Sequence, residues 1–386
     1  MFDSMLSSEF SIDPYPIYRQ MRQGGPLVWD QETHSFYVVT YAESVELLSS
    51  GLLRSRGVPA AVENVPKEDL SVILPTEQFF AEWMVFSESS HHRILRDALR
   101  PVLSPRSATS IIQRMHESTW ATVATASGNP LESIAIPIAQ RTLQEILGVT
   151  EAESRFLTSL SAELIAYLTT PGFDVAAARR GLVAVSTLER FVGERIGERQ
   201  GIIMPVLADL ATSGRIPMRT IVAAVAQFLT GVVEPTATLI ASMLNSINLF
   251  PALVDQLSAG NISLDSVVEE ALRHDPPFHY APRTAAHPFR RYDVDVAAGS
   301  RVVVILAAAN RDDSVWESAD QFNPMRPPHR HLAFGLGGHS CLGAAVARHQ
   351  ARAVLEATVR LEIFPRLEPL RRARCVGGTR FEYTPQ

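Results

Sequence analysis

The chain has 386 residues, 46% of them hydrophobic and 20% charged, the balance of a globular protein with ample surface to bury and not of a disordered one. Its formal net charge of −6 gives a nucleic-acid role no global electrostatic support. Two cysteines, Cys341 and Cys375, are too few for a disulfide framework, a multi-cysteine zinc site or an iron–sulfur cluster, so a reduced intracellular setting is the default expectation.

The first nine residues, Met1 to Glu9, have neither the basic nor the apolar region of a signal peptide. Short β-like runs at Leu27–Trp29 and Ser35–Val39 precede a helix from Ala42 to Leu48. Residues 55–82 read as a loop with at most short helices. Helical patterns dominate from about His91 to Arg273, with breaks near Pro101, Gly128, Gly148, Pro171-Gly172, Gly214 and Pro251. The most apolar stretch, Ile221 to Leu244, is interrupted by Gln227, Thr230, Glu234 and Pro235. No run reaches about 18 uninterrupted apolar residues, so no membrane span is expected. A zone with β-like pieces runs from Pro276 to Val304, followed by a long loop to Ser340. A helix from about Leu342 to Leu361 and a tail of weak strand character complete the chain. The pattern predicts a mainly α fold with small β-sheets at its two ends (α+β). No repeat or linker divides it, so residues 1–386 read as a single domain.

The informative segment is Phe334-Gly335-Leu336-Gly337-Gly338-His339-Ser340-Cys341-Leu342-Gly343. Three glycines before the cysteine permit positive φ and close backbone approach to something flat and large. The helix formers from Ala344 to Arg348 place Cys341 at a helix N-terminus, where free N–H groups stabilise a thiolate. Gly343 removes a side chain where the helix would press on a ligand. A buried thiolate held by amide donors is what an axial ligand to haem iron needs. Two plainer readings of the same residues stand beside this one. The first is a glycine-rich turn with Cys341 as a small apolar residue. The second is zinc held with His331, His339 and His349, against which the absence of any CxxC or HxxxH pair counts.

Phe-x-x-Gly-x-His-x-Cys-x-Gly is the haem-binding signature of the cytochromes P-450, and Phe334, Gly337, His339, Cys341 and Gly343 fill every position. The chain thus resembles that family, which implies a cytochrome P-450 fold holding haem b (iron protoporphyrin IX) between the I-helix and the cysteine loop with its L-helix. The resemblance makes Cys341 the proximal thiolate ligand of the metal. It places Phe334 and Gly335 against the haem and brings His339 to a propionate. It also covers Asp13-Pro14-Tyr15, Ala309-Asn310-Arg311-Asp312 and the stretch on to Arg348, with Gln350 where a glutamate is common.

Taken alone, Glu270 and Arg273 are an i,i+3 pair of the kind usually solvated. By resemblance they join Arg326 in a buried network that fixes the loop before the cysteine. His92 and Arg96, alone a basic helix face, resemble the family's propionate-binding C-helix. Glu88-Ser89-Ser90-His91-His92 stands where Asp-Pro-Pro-x-His is usual, and Arg283 matches a further propionate-binding arginine. Such groups hold carboxylates by charge-assisted hydrogen bonds.

Phe228 to Thr238 matches the I-helix. Gly231, Glu234 and Thr236 agree with the family pattern, whereas Val232 replaces a glycine and Pro235 replaces a threonine. Without the cysteine motif this is a core helix with a proline kink. With it, Glu234, Pro235 and Thr236 are the catalytic candidates, Glu234 for proton supply. The segments expected by resemblance to line a substrate pocket offer Trp83, Phe86, Phe173, Gln227, Phe278, His279 and Tyr280. That mixture suits a mid-sized, partly aromatic or amide-bearing ligand, and the same aromatics serve equally as core.

The expected function is a monooxygenase that hydroxylates, epoxidises or oxidatively couples a small organic molecule with O2 and two electrons. With no fused flavin or iron–sulfur domain, the electrons come from a ferredoxin and its reductase, docked by Arg93, Arg100, Arg348 and Arg352. The protein is expected to be a cytoplasmic monomer with no nucleic-acid or membrane partner. Of 35 basic residues only Lys67 is a lysine. That skew suggests a GC-rich bacterial genome, carries no chemistry in itself, and makes a role in specialised metabolism an association. Two rivals remain open: a haem enzyme that uses peroxide or couples radicals, motivated by Pro235, and a non-catalytic haem sensor, for which no output domain is seen.

Overall fold

A computed structural model describes residues 12–55, 65–169, 174–372 and 381–382. Phe173 and Cys375 lie outside the described residues. The chain builds two compact units, one from Met1–Arg54, Ile112–Ile138 and Pro235–Gln386, the other from Ser55–Ile111 and Ala139–Glu234.

In the first unit, helix α1 (Tyr15–Gln23) leads to strands β1 (Leu27–Asp30) and β2 (Ser35–Val38), helix α2 (Tyr41–Ser49) and β3 (Leu53–Ser55). Much later come β4 (Tyr280–Ala285), the hairpin β5 (Phe289–Arg291) and β6 (Val294–Val296), and β7 (Arg301–Ile305). The sequence suggests separate sheets at the two ends. Instead, β1, β2, β7, β4 and β3 lie side by side in one sheet. Strand β2 pairs parallel to β7, with Phe36 opposite Val302, and β4 pairs antiparallel to β7, with Arg283 opposite Val302. The cause is the run Val302-Val303-Val304-Ile305, buried throughout, which needs cover on both faces and therefore sits centrally. Val303 and Ile305 pack with Tyr15, Ile17, Tyr18 and Met21 of α1. Val302 and Val304 pack with Phe36, Val38, Leu47 and Leu332. The alternation is that of a pleated strand with two apolar faces.

The second unit is helical: α3 (Leu70–Ala81), α4 (Ser90–Leu99), the start of α5 (Pro105–Thr125), most of α6 (Ile136–Leu147), α7 (Glu151–Thr169), α8 (Val175–Arg195), α9 (Met204–Thr212) and the first half of α10 (Met218–Asn248). Helix α3 replaces the expected loop. Pro75 lies inside it and costs one backbone bond, but Val72, Ile73, Thr76, Phe79 and Phe80 are buried at helical spacing. The Phe80 ring stacks on Tyr167 of α7 at 5.6 Å, and the Tyr167 hydroxyl donates to Glu77 at 2.5 Å. Tertiary packing outweighs the local signal here. The turns after α6 and α8 meet backbone to backbone: a Cβ on Gly148 (φ +70°) would lie 2.3 Å from the Gly201 nitrogen. Helix α10 is long and apolar enough to cross a membrane by length and composition, but most of its apolar window is buried in the protein.

The first unit also contains α11 (Pro251–Ser258), α12 (Leu264–His274), α13 (Ala344–Arg360) and the short pair β8 (Arg371–Arg372) and β9 (Phe381–Glu382). Two buried networks organise it. In one, Arg273 of α12 uses all five of its N–H donors. Nε and Nη2 donate to the two Glu270 oxygens at 2.7 and 2.8 Å, Nη1 to the carbonyls of Asn310 and Ala319 at 2.9 and 2.8 Å, and Nη2 also to that of Gln321 at 3.1 Å. Glu270 further accepts from the Asn323 amide at 2.7 Å and from Arg326 at 3.2 Å. Arg326 in turn donates to the carbonyls of Ser318 and Gln321 at 2.7 and 2.9 Å, and to that of Glu317.

In the other network Asp275 accepts from Tyr15 at 2.8 Å and Ser242 at 3.2 Å and pairs with Arg372 at 2.5 Å. The Arg311 guanidinium lies 3.3 Å from the centre of the Tyr15 ring. Burial pushes the Asp275 carboxyl up, but Arg372, His279 and Arg311 outweigh it and hold the group well below the usual carboxylate range. His279, expected in a pocket, is 1% exposed. Its Nδ1 lies 3.0 Å from the Tyr18 hydroxyl, so it offers a ligand no surface. Burial pushes His279 down to about 3, and burial with Arg311 does the same to His274.

Two outcomes follow from these networks. Both histidines are neutral in the fold but bind protons at pH 6.5 and below when unfolded. Their contribution is therefore complete above pH 6.5 and lost as pH falls toward 3. Melting curves from pH 7 to 4 should show stability falling, by up to about 3 kcal/mol per histidine. His279→Asn should lower stability at pH 7 yet flatten that slope; an unchanged slope contradicts the assignment. For the arginine network, Arg273→Lys removes two of five donors and Arg273→Ala leaves Glu270 as a buried charge. The alanine variant should lose about 3–5 kcal/mol, read as a lowered melting temperature or insoluble protein, with lysine giving incomplete rescue.

Candidate active site

Asn310 connects the arginine network to the cysteine loop. Its carbonyl accepts from Arg273, and its side-chain oxygen accepts the Leu332 amide at 2.6 Å. The loop then turns through Gly335, whose amide donates to the Leu332 carbonyl at 2.8 Å, and through a 3₁₀ turn at Gly337–His339. The Cys341 amide donates back to the Phe334 carbonyl at 2.9 Å. Gly335 and Gly337 have φ of +64° and +75°, and a Cβ on Gly337 would meet the Leu48 carbonyl oxygen at 2.6 Å. Only glycine fits there. Helix α13 starts at Ala344 with Gly343 as its N-cap, so Cys341 lies just ahead of the helix and not within its first turn.

Cys341 is exposed. A Cβ added at Gly335 or Gly338 would meet nothing within 4 Å, and one at Gly343 would lie 3.9 Å from the Cys341 sulfur. The loop thus presents a thiol with open space along its glycines, a surface that a broad flat group fits. His339 is half-buried in the 3₁₀ turn, and Arg283 is half-buried on β4 with Nη1 donating to the Pro282 carbonyl at 2.8 Å. Zinc finds no support. Among the described residues no group of three His, Cys, Asp or Glu side chains is placed to hold a metal ion. His331 is engaged at both ring nitrogens, by the Ala333 amide at 3.2 Å and Glu269 at 3.1 Å.

Glu269 is a residue that the sequence reading passes over. It takes Arg348 at 2.6 and 3.1 Å, and the Arg348 guanidinium lies 4.5 Å from the Phe334 ring centre. Arg348, expected to face a redox partner, is committed to the cysteine loop. Arg352 pairs with Asp265 and Glu356, Arg100 with Asp97, and Arg93 is exposed. The doubled acid Glu269-Glu270 and a histidine three residues before Phe334 were the available signals.

The second unit carries the other candidates. His92 and Arg96 share one side of α4, with the Ser89 hydroxyl capping at 3.4 Å from the His92 amide. Burial and then the Arg96 charge lower His92 from its ordinary value. On α10, Gly231 is exposed and a Cβ there would meet nothing within 4 Å, while Val232 and Val233 are buried. Glu234 is half-buried. Helix α10 continues through Pro235 into the first unit, where Thr236 is 7% exposed. Among the pocket candidates, Trp83 is buried and stacks on Phe86 at 6.1 Å. Gln227 accepts the Val85 amide at 3.1 Å. In the first unit Phe278 is 52% exposed, and Tyr280 accepts from the Tyr18 hydroxyl at 3.3 Å.

A family model described as Cytochrome P450 matches residues 263–361, the stretch from α12 through the cysteine loop to the end of α13. The chain is 27% identical over 364 residues to the biotin biosynthesis cytochrome P450 of Bacillus subtilis (strain 168), covering 90% of this chain and 89% of that one. It is 25% identical to the beta-dihydromenaquinone-9 omega-hydroxylase of Mycobacterium tuberculosis (strain ATCC 25618 / H37Rv), covering 90% of this chain and 70% of that one. In fold it is similar to the crystal structure of P450BioI in complex with hexadec-9Z-enoic acid ligated acyl carrier protein, with a TM-score of 0.85, 23% identity, and coverage of 97% of this chain and 98% of that one. The helix-rich fold with its small sheets, the open thiol in its glycine loop and these likenesses agree on a cytochrome P450: residues 263–361 match the family model, and the chain has the fold of the solved P450 structures.

Proposed function

We propose that the protein is a haem-thiolate monooxygenase in which residues 1–386 act as one cytochrome P450 domain. It binds haem b through Cys341 and oxidises a small organic molecule with O2 and two electrons from a ferredoxin and its reductase. The observation that carries this reading is the exposed Cys341 thiol on a loop whose glycines leave room for a flat group. Bound there, haem supplies the activation of dioxygen and the oxidation of the substrate. The chain's own residues orient and protonate. The Phe334 carbonyl holds the Cys341 amide, His339 and Arg283 take propionate charge, and in the second unit His92 and Arg96 offer a basic helix face suited to an anion. The relatives' named biosynthetic roles support a place in bacterial metabolism; specialised metabolites as the substrate class and the cytoplasm as the location rest on association alone. A monomer needs no further partner for this chemistry.

Pro235 shapes the proton path. It has no hydroxyl and no N–H, so within α10 it removes the backbone bond to the Gly231 carbonyl. That carbonyl then accepts a hydrogen bond from water or from a substrate hydroxyl, Glu234 passes protons from its carboxyl, and Thr236 supports the turn. Because the usual threonine is absent, a second reading keeps the same haem but takes oxidising equivalents from peroxide or couples substrate radicals.

The reduced carbon-monoxide complex should show the red-shifted Soret band of thiolate ligation. Cys341→Ala should abolish it and Cys375→Ala should preserve it; a band that survives Cys341→Ala overturns the assignment. Glu234→Ala should slow O2-driven turnover by roughly 100-fold, the scale of general acid–base catalysis, and peroxide-driven turnover less. Pro235→Thr should lower peroxide leakage per electron consumed. Wild-type coupling in both variants removes α10 from the proton path.

A further inference from the structure

Resting on the haem-thiolate reading, we propose that Glu269, His331 and Arg348 form a clamp on the Phe334 ring that positions the Cys341 loop and balances the charge beside its metal. All three are positioning residues. The clamp draws on three separate segments of the first unit. Glu269 comes from α12, on the residue before Glu270, His331 from the loop ahead of the motif, and Arg348 from α13. Glu269 Oε1 accepts Arg348 Nε at 2.6 Å, and Oε2 accepts Arg348 Nη2 at 3.1 Å. The same Oε2 lies 3.1 Å from His331 Nε2. His331 Nδ1 accepts the Ala333 amide at 3.2 Å, which leaves Nε2 as the protonated nitrogen and makes it the donor to Glu269. The His331 side chain is 4% exposed.

The clamp's fixed end is Phe334. The Arg348 guanidinium stands 4.5 Å from its ring centre and the His331 ring 6.0 Å from it. The Phe334 carbonyl in turn fixes the Cys341 amide at 2.9 Å. A planar guanidinium that holds a carboxylate through two bonds and covers an aromatic face is a task lysine cannot reproduce. Burial pushes Glu269 up, but the hydrogen bonds from His331 and Arg348 outweigh it and bring the group down to about 2. It remains a carboxylate at working pH. The cluster holds the Glu269 carboxylate and the Arg348 guanidinium, with the His331 ring as third partner.

Glu269 and Arg348 are partly exposed, with side chains 46% and 37% accessible, and pairs of that kind add little to stability. Their consequence lies in loop placement and in the local field. Neutralising one member leaves the other's charge uncompensated beside the loop, and the sign of that charge decides whether an added electron is favoured.

The test is the midpoint potential of the purified, substrate-free holoprotein, measured by spectroelectrochemical titration. Arg348→Gln leaves Glu269 as an unbalanced anion and should lower the potential relative to wild type. Glu269→Gln leaves Arg348 as an unbalanced cation and should raise it. Arg348→Lys keeps the charge and should return the potential toward wild type, while its carbon-monoxide complex loses the red-shifted band faster because the bidentate hold is gone. The lysine variant and Glu269→Asp, which retain both charges, serve if either glutamine variant fails to retain haem. In that case Arg348→Lys must lose the red-shifted band faster than wild type, and wild-type persistence overturns the clamp. A solely structural pair would lower the melting temperature of both glutamine variants and leave the potential unmoved, or shift it in the same direction. Either result overturns the clamp. A wild-type holoprotein without the red-shifted carbon-monoxide band overturns the haem-thiolate reading instead.

Discussion

Arg273 is the residue on which the site's geometry hangs. A guanidinium has five N–H donors, and here two meet Glu270 while the others meet carbonyls spread over Asn310, Ala319 and Gln321. One buried side chain on α12 thereby measures out the irregular segment that follows β7. Asn310 carries the constraint onward, with its carbonyl on Arg273 and its side-chain oxygen on the Leu332 amide. From Leu332 the loop reaches Gly335 and then the Phe334–Cys341 bond. A buried ion network of this kind adds little net stability, because desolvation offsets the attraction. It selects one path for a segment that has little regular structure to hold it.

The motif was legible because its constraints are local. Gly335 and Gly337 take positive φ within one short run, and Cys341 must follow within a few residues for its amide to reach Phe334. Glu270, Arg273 and Arg326 were legible only through family resemblance, since an i,i+3 pair says nothing of the carbonyls 37 to 48 residues downstream that complete it. The single sheet was hidden for a similar reason. Pairing of Phe36 with Val302 is decided by which apolar faces need cover, and neither strand announces its partner. Helix α3 carries Pro75, a local breaker, and the burial of Phe79 and Phe80 that overrides it is a tertiary fact. Family resemblance places His279 in a pocket, but its ring is held inside by Tyr18 and Asp275.

Arginine usage in this chain has a structural meaning that composition alone does not show. Lys67 is its one lysine, and that skew looks like genome composition. Yet the buried and half-buried arginines are placed where a point charge on a flexible stem would fail. Arg273 saturates five donors, Arg326 donates to three carbonyls besides Glu270, and Arg348 grips a carboxylate with two nitrogens while covering an aromatic ring. Arg311 stands over the Tyr15 ring as it donates to the His274 carbonyl at 2.7 Å. Each exploits the planar fork to tie one helix to several points of a loop. The segment between β7 and α13 has almost no regular secondary structure, so its backbone groups need partners from side chains. Multi-donor guanidinium groups from α12 and from the segment itself are the economical solution, and they leave the cysteine loop rigid enough for its glycines to keep open the space beside the thiol.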